Sequence, residues 1–368
     1  MINSNKLQTD NRQNKSNQTS ISFINKNKVN TVTGDIPIDT LGITLMHEHI
    51  IADFSSYWNE PKENELKKIV DQPVSISMLG ELKINPFINR DNLKLLDLNT
   101  AVEELIQFKN LGGKTVIDVT NNGIGRDPVK LHQISLNTGL NIIMGSGYYL
   151  EKSYKSSFKK IDVNEIADEI MCDIIQGVSD TGIRAGIIGE IGISKEFTET
   201  EHKVLIGAAK AASKVRAPLS IHISGWGRQG HRILDIVEKE GADISHTIIN
   251  HMNPSMYDLE YQTSLAKRGA FIEYDLIGHN FYYPQRKVQC PCDKENAEAI
   301  KRLIDEGYIN KIIISQDLYL KIMLVKFGGF GYGYILRHFT SLLKSQGISN
   351  KQIKEILINN PCKIFSYT

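Results

Sequence analysis

The chain has 368 residues, enough for one large α/β domain or two ordinary ones. Hydrophobic content of 41% and charged content of 23% are those of a soluble globular protein, and a formal net charge of +1 gives no reason to expect nucleic acid or an anionic membrane as a partner. No apolar run approaches the ~20 residues of a membrane span.

Residues 1–30 are polar, rich in Asn, Gln, Ser and Lys, and are expected to form a disordered tail. They lack the apolar core of a secretory signal, and their single arginine, Arg12, argues against a mitochondrial presequence. Residues 31–368 then form one folded domain. Val32–Ile38 suggests a hairpin, and Gly42–His49 the first main strand. The stretch 52–98 has no clear periodicity; a segment this long is either a functional lid or carries small elements of its own. From there strand and helix alternate. Helices are expected over 100–111, closed by Gly112-Gly113, over 128–137 with Asp127 as cap and Pro128 at its first position, and over 163–175, 199–215, 229–240, 255–268, 295–306, 334–345 and 350–359. Strands are expected to begin near Gly42, Lys114, Asn141, Ala185, Pro218, Thr247, Ala270 and Lys311. Each is mostly apolar, as a parallel strand buried on both faces should be. Eight such strand–helix units predict a (β/α)₈ TIM barrel. An open doubly wound sheet would carry a glycine fingerprint after its first strand, and here that strand ends in histidines.

Ligand-type residues fall at the strand ends. His47 and His49 end the first strand and, by alternation, share a face while Glu48 points away. Glu190 ends the fourth strand, His222 the fifth and His251 the sixth, and Asp317 follows the eighth. In a barrel all these ends lie on the rim that builds active sites. Four histidines and two carboxylates are too many for one tetrahedral zinc and suit two metals sharing a bridge; this donor set favours zinc and admits manganese, iron, cobalt or nickel. Cys172, Cys290, Cys292 and Cys362 make no disulfide framework and point to a reducing, cytoplasmic compartment; Cys290-Pro291-Cys292 is read as two loop cysteines.

The segments Leu41–His49, Gly123–Asp127, Ala185–Gly192, Gly269–Asp275, Lys326–Tyr332 and Asn359-Asn360-Pro361 resemble the phosphotriesterase family of the amidohydrolase superfamily, most closely its phosphotriesterase-related branch. The resemblance runs from about Val32 to the C-terminus. It implies a binuclear divalent centre in which His47, His49 and Asp317 hold one metal, His222 and His251 the other, and Glu190 bridges. Many family members have a carboxylated lysine at the bridging position; here the motif Gly189-Glu190-Ile191-Gly192 gives a plain, shorter carboxylate. The family often forms homodimers, although no stretch here marks an interface.

Two close divalent cations lower the pKa of a bridging water, and the hydroxide formed attacks a carbonyl carbon or phosphorus. Asp317 is the candidate to take the proton and pass it to the leaving group, provided only one of its oxygens is committed to metal. The branch implies small N-acyl amino acids such as N-acetyltaurine as substrates; lactones or carboxylic esters and phosphoesters are the alternatives, because the fold does not fix the substrate. A non-catalytic ligand-binding barrel would predict a damaged ligand set, and all six positions are filled. Substrate choice is expected from rim residues: Tyr148, Tyr149, Trp226, Arg228, Arg232, His279, Tyr282, Tyr283 and Lys321, with Arg228 or Lys321 reading an anionic group. Gly328-Gly329-Phe330-Gly331 reads as a rim loop rather than a phosphate cradle, because its spacing does not open a helix.

Overall fold

The computed structural model describes residues 27–155, 158, 160–283 and 287–367. Eight parallel strands follow one another in chain order around a nearly closed barrel. They are β1 (Thr44–Glu48), β2 (Thr115–Asp118), β3 (Asn141–Ser146), β4 (Ile187–Gly192), β5 (Leu219–His222), β6 (Thr247–Ile249), β7 (Phe271–Tyr274) and β8 (Ile312–Ile314). The principal helices outside them are α1 (Leu98–Asn110), α2 (Pro128–Thr138), α3 (Val163–Ile175), α4 (Glu199–Val215), α5 (Gly230–Lys239), α6 (Leu259–Arg268), α7 (Asp293–Asp305) and, after a π turn, α8 (Thr340–Ser345). Local chemistry starts several of them: the carboxylates of Asp97 and Asp127 accept from Thr100 and Lys130 backbone N–H, and Asp162/Glu165 and Thr198/Glu201 form capping boxes.

Two apolar layers follow from strand alternation. Val116, Ile142, Ile188, Ile221, Ile249, Ile272 and Ile312 face outward into one core with the inner faces of the helices. Met46, Ile117, Ile143, Ile187, Ile248, Phe271 and Ile313 belong to a separate cluster that fills the barrel axis. A hairpin of Lys28–Thr31 and Gly34–Pro37 closes the amino-terminal end, with Val29 packed on that cluster and Asn30 Nδ2 donating to the carbonyls of Ile174 (2.9 Å) and Ala185 (2.8 Å). The tail expected over 1–30 lies, up to residue 26, outside the described residues; Lys28–Thr31 is already strand, so the ordered domain begins ahead of the expected boundary at 31.

The stretch 52–98 carries small elements of its own. Two-residue strands, Ala52–Asp53 and Lys94–Leu95, pair antiparallel and bracket short helices at Asn64–Lys67 and Leu79–Ile84. Its Phe54, Leu82, Phe87, Ile88 and Leu93 form a third apolar cluster with Tyr149, Phe281, Tyr283, Tyr319 and Ile322 from the rim loops. The excursion is therefore a side wall of the barrel mouth.

Two departures from regular pairing matter for function. Leu45 pairs with Val116 but Glu48 pairs with Asp118, three residues against two; Ile188 and Ile191 stand in the same relation to Leu219 and Ile221. Such irregularities re-aim side chains, and they fall at His47 and Glu190. The seam between β8 and β1 is closed by specific groups. His47 N–H donates to Ser315 Oγ (2.9 Å), the Ser315 hydroxyl donates to Glu48 Oε1 (2.8 Å), and Asp317 N–H donates to the His47 carbonyl (3.0 Å). Replacing Ser315 by Ala strands the buried His47 N–H and leaves Glu48 Oε1 with the Gln316 N–H alone. It is expected to cost about 1–3 kcal/mol, read as a lowered urea midpoint at fixed metal concentration; an unchanged midpoint would mean that the seam does not depend on this hydroxyl.

Candidate metal centre

All six expected residues converge on the carboxyl-terminal rim, and all are buried except His222, which is partly exposed. Glu190 sits between two sets. Its Oε1 lies 3.2 Å from His49 Nε2, while its Oε2 lies 3.0 Å from His222 Nδ1 and 3.7 Å from His251 Nε2. His47 Nε2 is 3.5 Å from Glu190 Oε2 and 3.6 Å from Asp317 Oδ1, and His49 Nε2 is 3.2 Å from Asp317 Oδ1. His222 Nδ1 and His251 Nε2 are 2.6 Å apart. The backbone is bent to achieve this. Gly189 has φ +136° and a Cβ there would meet the Ser220 carbonyl oxygen at 2.4 Å, so only glycine delivers Glu190 to this position. His251 (φ 56°) and Asp317 (φ 43°) take the left-handed region, which costs of order 1–3 kcal/mol each and gathers at functional sites.

Neighbouring groups fix the rings from behind. His49 Nδ1 lies 2.9 Å from Thr120 Oγ1, and the Asp118 carboxylate accepts from the Thr120 (3.0 Å) and Ile50 (2.7 Å) N–H groups. His251 Nδ1 is 3.0 Å from Asp275 Oδ1, and its own N–H donates to both Asp275 oxygens. Glu48 faces away from the histidines, as alternation requires, and accepts from the Ser315 hydroxyl and the N–H groups of Gln316 (2.9 Å) and Leu318 (3.0 Å), bracing Asp317 on both sides. Thr120, Asp118 and Asp275 were not singled out in the sequence. Their signal is position alone: each lies at or just past the end of a barrel strand.

The electrostatics ask for cations. Every ion pair of Glu190, Glu273, Asp275 and Asp317 among the described residues is to a histidine, none to lysine or arginine. Burial disfavours protonated histidine, yet hydrogen bonds to Asp317 and Glu190 raise His49 to about 9, and Asp275 raises His251 to about 10. Burial and the charge on His251, working against Glu190, push His222 down to about 4. Burial opposes ionisation of Asp317, but the His49 hydrogen bond and the charges of His47 and His251 hold it well below the ordinary carboxylate range. Among the described residues, neither ring nitrogen of buried His47 has a hydrogen-bond partner. Donors of a four-coordinate ion at about 2.0–2.1 Å stand roughly 3.3 Å apart, and the separations given above run from 2.6 to 3.7 Å. The residues fit divalent cations.

A (β/α)₈ barrel with such a cluster on its catalytic rim defines a metal-dependent hydrolase. The Phosphotriesterase family model matches residues 27–365, and the chain belongs to that family. It is 36% identical over 361 residues to an N-acetyltaurine hydrolase of Dictyostelium discoideum, covering 92% of this chain and 98% of that one. Among solved structures it is similar to a resiniferatoxin-binding protein from Rhodobacter sphaeroides (TM-score 0.91, 45% identity, 92% and 95% covered). It is also similar to a phosphotriesterase homology protein from Escherichia coli holding phosphate in its active site (TM-score 0.74, 28% identity, 89% and 99% covered).

The expected rim residues divide. Tyr149 and Tyr283 line the mouth with Phe54, Tyr57 and Tyr319, and Trp226 packs edge-on to Tyr283. The two expected cations are engaged elsewhere: Arg228 pairs with Asp258 (2.7 Å) and Lys321 with Asp91 (2.5 Å). Arg232 lies over Phe197, Tyr148 bonds Glu169 on α3, Tyr282 is exposed, and His279 is buried with Nε2 on the Gln316 carbonyl (2.7 Å). The N–H groups of Gly328, Gly329 and Gly331 are spent on carbonyls of the same loop, which is why the loop offers no phosphate cradle. The four cysteines form no disulfide, and no helix is long and apolar enough to cross a membrane, among the described residues.

Metal removal should leave the buried carboxylates compensated only by protonated histidines, His49 and His251 among them. Chelator-treated protein is expected to melt lower than the untreated protein. Zinc or manganese restored to a free concentration about 100 times its Kd should return about 2.7 kcal/mol. Calorimetry of the two forms checks this, and coincident melts would contradict a cation requirement.

Proposed function

We propose that this chain hydrolyses small N-acyl amino acids, N-acetyltaurine and its analogues first, through two divalent cations, zinc before others. One would be held by His47, His49 and Asp317 and the other by His222 and His251, with Glu190 serving both. The observation that carries the pair is Glu190, whose Oε1 faces His49 and whose Oε2 faces His222, His251 and His47, so that one carboxylate touches ring nitrogens of both proposed sets. Bound divalent cations supply the Lewis acidity that activates water and polarises the scissile carbonyl.

The chain's own residues do the rest. Asp317 turns Oδ1 toward His47 and His49, leaving Oδ2 to accept a proton from the attacking water and return it to the leaving amine nitrogen. The Tyr149 phenol, kept protonated by burial and by Tyr57, stands 3.4 Å from His222 Nδ1 and can donate to oxygen charge developing on the substrate. Tyr57 fixes that phenol at 2.8 Å, and the Lys152 ammonium lies 2.9 Å from the centre of the Tyr57 ring. Lys152 thus places a cation on the Tyr57 side of the mouth, a charge suited to an acidic group beyond the acyl carbon. The near-complete match to N-acetyltaurine hydrolases supports the same substrate class. Lactone, carboxylic ester and phosphoester hydrolysis form the second reading, the phosphoester part of it supported by the phosphate bound in the Escherichia coli homologue. The four cysteines without a disulfide fit a cytoplasmic enzyme.

Elemental analysis should find about two divalent ions per chain, and the same sample should cleave N-acetyltaurine faster than a lactone or a phosphotriester. Lactone turnover without amide cleavage would overturn the substrate; a single ion not supplemented by added zinc would overturn the bridged pair. Asp317→Asn is expected to lower kcat by about 10²–10⁴-fold, and wild-type turnover would remove Asp317 from the mechanism. Lys152→Met should raise KM for N-acetyltaurine about two- to five-fold and leave KM for a neutral lactone unchanged; equal effects on both would exclude charge recognition.

A further inference from the structure

Glu273 has no part in the chemistry above. It lies on β7, where Phe271, Glu273 and Asp275 share the inward face, one layer above the apolar floor and one below the rim. It is fully buried, and among the described residues neither of its oxygens has a hydrogen-bond partner. Its Oε2 lies 3.5 Å from His47 Nδ1, the ring nitrogen on the far side from Glu190 and Asp317. Asp275 Oδ2 is equally near that nitrogen, but Asp275 already holds the backbone and ring of His251. His49 and His251 each have such a partner behind the ring, Thr120 and Asp275; among the described residues Glu273 is the group left to serve His47.

We propose that Glu273 is the positioning residue for His47: its carboxylate accepts a hydrogen bond from Nδ1–H, which keeps the proton on that nitrogen and turns the bare Nε2 lone pair toward the metal. A carboxylate behind a ligating imidazole also makes the ligand more basic, and losing one typically costs 10–100-fold in metal affinity. At 3.5 Å the pair is at ion-pair rather than hydrogen-bond distance, so a small ring or carboxylate shift accompanies metal binding. The inference rests on the metal centre proposed above.

The test is zinc titration of chelator-stripped protein against a chromophoric competitor, with cobalt(II) visible spectra on the same samples. Glu273→Gln should bind the His47-side ion about 10–100-fold more weakly, keep the wild-type affinity for the other ion, and shift the cobalt d–d bands. The metal-free variant should melt with the metal-free wild type. Glu273→Asp, with charge kept but reach shortened, should fall between; it decides the matter if the Gln variant does not fold. Zinc isotherms and cobalt spectra superimposable on wild type in the folded variants would overturn the role of Glu273. Failure of the wild type itself to bind zinc or cobalt would instead overturn the centre on which the inference rests.

Discussion

The burial of six acid groups at one end of the barrel is the constraint on which the rest depends. Glu48, Asp118, Glu190, Glu273, Asp275 and Asp317 are all withdrawn from water within one rim. An unpaired buried charge costs several kcal/mol, and removing one partner of a buried pair is strongly destabilising. The fold answers by dividing the carboxylates. Glu48, Asp118 and Asp275 accept backbone N–H groups and act as braces. Glu190 and Asp317 face ring nitrogens, so their charge is available to a cation. One local rule, satisfy or compensate, thus separates structural acids from chemical ones.

The barrel supplies the rigidity for this division. An apolar floor and a hairpin seal the amino-terminal end, so the polar layer opens in one direction only. The seam between the first and last strands is made by the segments that carry His47 and Asp317, so barrel closure and site assembly are one event. The pairing irregularities in β1 and β4 spend regular hydrogen bonding where His47 and Glu190 must be re-aimed. Positive φ at His251 and Asp317 is the same exchange at two further positions.

Substrate choice is built on a different part of the molecule. The centre comes from strand ends, whereas the mouth comes from the 52–98 excursion packed against the loops after β3, β7 and β8. Among the described residues, the aromatic wall meets the donor set only where Phe54 packs on His49 and Tyr149 on His222. The chain belongs to the phosphotriesterase family, and its relatives span N-acetyltaurine hydrolases and a homologue that holds phosphate. A shared centre behind a separately built wall accounts for that spread.

Much was legible in the sequence because much is local. Alternation and strand-end position identified eight barrel strands, placed His47, His49, Glu190, His222, His251 and Asp317 on one rim, and turned Glu48 away from the histidines. Capping residues such as Asp127 with Pro128 set helix starts to within a residue or two. Other features were settled only by the tertiary structure. The aperiodic 52–98 stretch acquires its order from contacts with rim loops, not from its own pattern. The sequence offers Arg228 and Lys321 as candidate cations or solvated loop residues, and each is neutralised by an aspartate that only folding brings near: Asp258, 30 positions along, and Asp91, 230 positions back. The groups behind the histidines escaped for the same reason: Thr120 is 71 residues from His49, and Asp275 is 24 from His251. Periodicity and capping act between neighbours in the chain and so are written in it; the pairing of buried charges acts through space, and only the closed barrel fixes which groups meet.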